Sequence, residues 1–198
     1  MLLLTLFKKE LYSVRHYDRQ IAICFAIFAV AVYVGYILAV LLQDRAEDYY
    51  STVREIILSN PFGQGLPENI FLFILGRNAL VSFTALVLGI FTYNIWPVTI
   101  LLLNGAMSGF AAKMQAVLFH HYTFQIWLFG LLPHGVIELG ALFLACGASF
   151  YFGGLRRQGE FIWGRLLGTY FMLVLPLLVL AAAVESFITP LLIHRFLL

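Results

Sequence analysis

From Ile21 to Leu42 the chain runs 22 residues without a charged side chain, and about 20 such residues are what a helix needs to cross a bilayer. Hydrocarbon offers no water to backbone amides, and a helix satisfies them all within the segment. Further apolar stretches follow over residues 70–95, 97–112, 123–151 and 166–184. Composition agrees: 62% of the residues are hydrophobic, 11% are charged and the mean hydropathy is +0.93, against roughly 45–50% apolar and 25% charged in a soluble domain. The expected fold is an all-α, polytopic membrane helical bundle of about five transmembrane helices. No Ser/Pro/Gly-rich linker divides it, so residues 1–198 are expected to form a single integral membrane domain. Cys24 and Cys146 both fall in apolar stretches and read as small buried hydrophobes, not as a disulfide or metal framework.

The polar residues outside the spans set the expected topology. Residues 1–20 alternate Leu4, Phe7, Leu11 and Val14 with Lys8, Lys9, Glu10, Arg15 and Arg19, the pattern of an amphipathic helix lying in the membrane interface. Residues 43–69 form the only long hydrophilic stretch, with a net charge of −3; Tyr49–Leu58 is expected to form one short helix there. With five crossings, residues 1–20 and 153–165 share a side and carry four and three Lys or Arg, against Arg45, Arg54, Lys113 and Arg195 opposite. The positive-inside rule then places the N-terminus in the cytoplasm and the C-terminus outside. The acidic loop 43–69 faces outward, where it is the expected surface for protein partners. The basic residues cluster beside the spans, so the formal charge of +2 gives no sign of nucleic-acid binding.

Few ionisable residues lie inside the spans, and each is costly there unless it finds a partner or a wet cavity. Pro133-His134-Gly135-Val136-Ile137-Glu138 is the most informative segment. Proline can open a helix at its first position, so a broken or re-entrant helix is expected at Pro133. His134 and Glu138, four apart, then share one face. Arg77, Asn78, His134, Glu138 and Glu185 are expected to converge in a polar intramembrane cluster, with the arginine bridging at least one carboxylate. His134, Glu138 and Glu185 offer the nitrogen and oxygen ligands that a divalent metal such as zinc accepts. Asn104, Gly105 and Gly109 mark a helix-packing face. A Gly-x-x-x-Gly spacing lets helices approach closely within a chain or between chains, and a homodimer is one expectation from it. The adjacent His120 and His121 point in different directions on a helix and read as interfacial side chains.

These residues carry a resemblance. The Pro-His-Gly-x-x-Glu segment, Asn78 at the head of the second span, Asn104-Gly105 with Gly109, and the closing Glu185-Ser186-Phe187-Ile188-Thr189-Pro190 resemble the SpoIIM family, stage II sporulation protein M and its relatives, over roughly residues 60–192. The resemblance implies an all-helical polytopic protein. It also implies the membrane component of a peptidoglycan-remodelling complex, a scaffold or localiser with two exported partners and no established catalysis.

Three functions compete on this reading. A non-enzymatic membrane scaffold of the cell envelope accords with the resemblance and with the lack of a complete catalytic set: no Gly-x-Ser-x-Gly elbow or His-Glu-x-x-His is present. An intramembrane metal-binding protein, or a metal-dependent hydrolase, would use His134 and Glu138. A small dimeric transporter or channel would use the interruption at Pro133, since discontinuous helices recur in transporters.

Overall fold

The computed structural model describes residues 2–45, 47–48, 51–52, 55 and 69–196, and every regular element among them is helical. Helix α1 (Leu2–Ser13) continues through a short 3-10 turn, Val14–His16, into α2 (Asp18–Leu41). After the polar loop come α3 (Ile70–Phe91), α4 (Ile95–Leu118), α5 (Thr123–Arg157) and α6 (Trp163–Phe196); α2 to α6 are the five helices long and apolar enough to cross a membrane. Most of Tyr49–Leu58, the short helix expected in the loop, lies outside the described residues. Helix α4 is longer than its uncharged stretch suggests, 24 residues, so Lys113 belongs to the helix and not to the connection after it.

Helix ends follow local chemistry. Asn69 caps α3 by accepting the Leu72 N–H at 3.0 Å. Between α3 and α4 the chain turns through Tyr93 and Asn94, both with positive φ, and the Asn94 N–H donates to the Gly89 carbonyl at 2.8 Å. Pro97 follows in the first turn of α4, where its missing N–H costs nothing.

The three prolines inside α5 and α6 share one pattern. Pro133, Pro176 and Pro190 each stand two residues beyond a π-helical segment, respectively Ile126–Leu131, Tyr170–Val174 and Val184–Ile188. A proline ring in an α-helix meets the carbonyl four residues back, which here belongs to Phe129, Met172 or Ser186, and each of these lies in a widened turn. The interruption expected at Pro133 therefore takes this form: α5 runs on through the proline as one 35-residue helix, without stopping or turning back.

Lipid tails are as apolar as leucine, so close van der Waals packing must hold these helices together. Helix α4 lies along α2 with small residues between them. A Cβ at Gly105 would come 2.7 Å from the Phe28 carbonyl oxygen, and one at Gly109 would collide with the Val32 carbonyl. Gly35 on α2 makes the reciprocal approach to Ala106. The Gly105–Gly109 face is thus occupied within the chain and is not open to a second copy. Helix α5 is central, burying Ala141, Ala145, Cys146, Ala148, Ser149 and Phe152 among α2, α3 and α6. The two cysteines are buried and free. Large apolar side chains such as Phe25, Val30, Leu80 and Leu103 point outward, each at least 60% exposed, as a hydrocarbon surround requires.

Helix α1 is tied to the start of α6: the Thr169 hydroxyl donates to a Glu10 carboxylate oxygen at 3.2 Å. The backbone of Gly168 lies against the same side chain, where an added Cβ would come 2.9 Å from Glu10 Oε1.

Candidate intramembrane polar site

The four-residue spacing of His134 and Glu138 places both on one face of α5, in the first turns after Pro133. Glu185 comes from the third widened turn, on α6. One potential ligand atom from each of the three lies within 4.8 Å of the others. The His134 ring is fastened from behind, its Nδ1 3.2 Å from the Thr189 Oγ1. Thr189 is 5% exposed, so this bond is shielded and joins α5 to α6 one turn beyond Glu185.

A cavity of about 490 Å³ opens beside the carboxylates. Glu138 and Glu185 line it from one side, Arg77 and Asn78 from α3, and Asn104 and Ser108 from α4. The structure therefore brings Arg77, Asn78, Glu138 and Glu185 to one cavity, with His134 next to its carboxylates. It does not pair the arginine. Among the described residues the one ion pair is Arg165–Glu160, at 3.8 Å and well exposed, whereas Arg77 bridges neither glutamate. The expected bridge does not form: Arg77 is an exposed residue of α3, while the two carboxylates lie close to each other and to His134.

Asn104 also differs from its expected role. It is exposed on α4 and faces the cavity, its amide nitrogen donating to the Ile100 carbonyl at 2.8 Å; the close contact with α2 is made by Gly105, Ala106 and Gly109. Thr189, in the closing Glu185–Pro190 segment, is a partner of His134 that sequence spacing does not reveal. The cavity serines bond back along their own helices: Ser82 donates to the Asn78 carbonyl at 2.9 Å and Ser108 to the Asn104 carbonyl at 2.7 Å.

One imidazole and two carboxylates form a donor set suited to a divalent cation. With Nδ1 held by Thr189, Nε2 is the nitrogen free to ligate, and Nδ1 then keeps its proton and donates to the hydroxyl oxygen. Tetrahedral zinc with ligands at ~2.1 Å holds their donor atoms ~3.4 Å apart. The observed limit is 4.8 Å, so the donor atoms would have to draw together by up to ~1.4 Å to hold such an ion. Three protein ligands leave a fourth position for water or another oxygen ligand.

Helices and site together define a multi-pass α-helical membrane protein with an ionisable cluster inside its bundle. The chain belongs to the SpoIIM family: the family model described as Stage II sporulation protein M matches residues 24–190. That match takes in α2 as well as the segments that carried the resemblance. No curated protein and no solved structure matches the chain at a significant level.

Proposed function

We propose that this SpoIIM-family protein binds a divalent cation such as zinc within the membrane, through His134, Glu138 and Glu185. The carrying observation is the convergence of three ligand atoms from two helices to within 4.8 Å. Isolated charges in hydrocarbon are expensive, and two carboxylates side by side repel unless a cation or protons intervene. A cation relieves that repulsion and crosslinks α5 to α6. The protein sits in the bacterial cytoplasmic membrane with its N-terminus in the cytoplasm and its C-terminus outside, an orientation supported by the Lys and Arg asymmetry of the loops. The test is metal analysis of the detergent-purified chain beside His134→Ala. Near-stoichiometric metal in the wild type, lost in the variant, is the expected result; equal trace amounts in both would overturn the reading.

The family match favours a second, compatible reading. In it the protein is a non-enzymatic scaffold of the cell envelope, part of a peptidoglycan-remodelling assembly, and the cation stiffens the bundle that partners recognise. The polar loop 43–69 is the surface this reading assigns to them. Deleting Tyr49–Leu58 should leave the protein inserted but abolish co-purification with an envelope partner. Retention of every partner would remove the loop from that role.

A further inference from the structure

Resting on the cation reading, we infer that the cavity takes the headgroup of an anionic, phosphate-bearing lipid, held between the cation and Arg77. Charge balance is the first reason. Without a cation, two ionised carboxylates against one guanidinium would leave the cavity negative by one charge, and a proton shared between them would leave it neutral; neither state draws an anion in. A divalent cation reverses the sign and leaves one surplus positive charge facing an open coordination position. Arg77 feels the Glu138 charge across the cavity but forms no ion pair with a carboxylate among the described residues, and its forked donors suit a phosphate oxyanion.

The cavity's position is the second reason. Arg77 and Asn104 are exposed on membrane-spanning helices, and beside them Phe73 and Met107, also on its lining, are 50% and 58% exposed. The mouth therefore opens sideways between α3 and α4, toward lipid, with polar groups inside and apolar ones at its rim. An amphiphile matches that distribution: the oxyanion meets Arg77, the amide of Asn78 and the cation, while the acyl chains leave along Phe73 and Met107. Arg77 lies seven residues into α3, ~10 Å along the axis at 1.5 Å per residue, a depth from which its long side chain reaches toward the headgroup layer.

The test uses the full chain in neutral detergent micelles doped with phosphatidic acid or with phosphatidylcholine, or with inorganic phosphate in the buffer. Thermal unfolding is measured with and without a chelator, and metal content is determined on the same samples. Phosphatidic acid should raise the unfolding temperature of the metal-loaded wild type, with phosphatidylcholine and inorganic phosphate well behind, and the chelator should abolish the effect. Arg77→Met should weaken phosphatidic acid binding about tenfold, as loss of one charge-assisted hydrogen bond does, and Arg77→Lys should keep part of it. Bound metal with no preference for phosphatidic acid would overturn the lipid and leave the cation site standing. Inorganic phosphate acting as strongly as phosphatidic acid, or a crosslinked dimer covering the mouth, would also overturn the lipid. Absence of metal from every sample would overturn both readings.

Discussion

His134 Nδ1 stands 3.2 Å from Thr189 Oγ1, a bond across 55 residues of sequence that locks an imidazole on α5 to the last part of α6. Its use is orientational, because a ring held at one nitrogen presents the other in a fixed direction and tautomer. Thr189→Val keeps the shape and removes the acceptor. Metal affinity, read by competition with a chromophoric chelator, is expected to fall ~10–100-fold. Thr189→Ser should restore most of it. An unchanged affinity in Thr189→Val would mean that the bond only packs the helices.

Gly109→Leu should damage the folded chain itself. The added side chain would drive α4 off the Val32 carbonyl of α2, and overpacking of this kind costs ~1–3 kcal/mol. Gly140→Ala is the control, because nothing lies within 4 Å of a Cβ there. Thermal unfolding in detergent should show a clear loss for the first and almost none for the second. If Gly109→Leu unfolds like the wild type but changes oligomeric state, the contact between α2 and α4 is not the one that matters.

Pro190→Ala restores an N–H and removes the ring that would meet the Ser186 carbonyl in a regular α-helix. The widened turn Val184–Ile188, which carries Glu185, then competes with a tighter one. Metal affinity should drop while helix content by circular dichroism stays constant. Full affinity in this variant would show that the turn is held by packing alone.

Glu10→Ala should free α1 from α6, since it removes the acceptor of the Thr169 hydroxyl. The pair is partly exposed, so the cost is on the order of 1 kcal/mol. Limited trypsin digestion at Lys8 and Lys9 should quicken, with metal content unchanged. Equal digestion rates would place the docking of α1 in its apolar contacts instead.

Much of this architecture is legible in the residues. Uncharged stretches locate the spans, and the four-residue spacing of His134 and Glu138 needs only a helix to bring them together. The Gly-x-x-x-Gly spacing shows that something packs closely on α4. That the partner is α2 of the same chain depends on tertiary pairing, which spacing does not encode. The course of α5 through Pro133 was harder to foresee, because a proline permits either a stop or a widened turn, and packing on both sides decides between them. Arg77 shows the same limit. Its charge suggests a carboxylate partner, but its exposure on α3 and the mutual closeness of Glu138, Glu185 and His134 leave it facing the cavity instead. The pairing of Thr189 with His134 is not encoded in spacing, because the two stand 55 residues apart and on different helices.

The central claim is a cation held by three named side chains, and anomalous diffraction from crystals of the metal-loaded protein, recorded on either side of the zinc edge, tests it most directly. The account predicts one anomalous peak per chain, ~2.0–2.2 Å from His134 Nε2 and from one carboxylate oxygen each of Glu138 and Glu185. A metal-loaded crystal with no peak among these residues, or with its peak elsewhere in the chain, would contradict it.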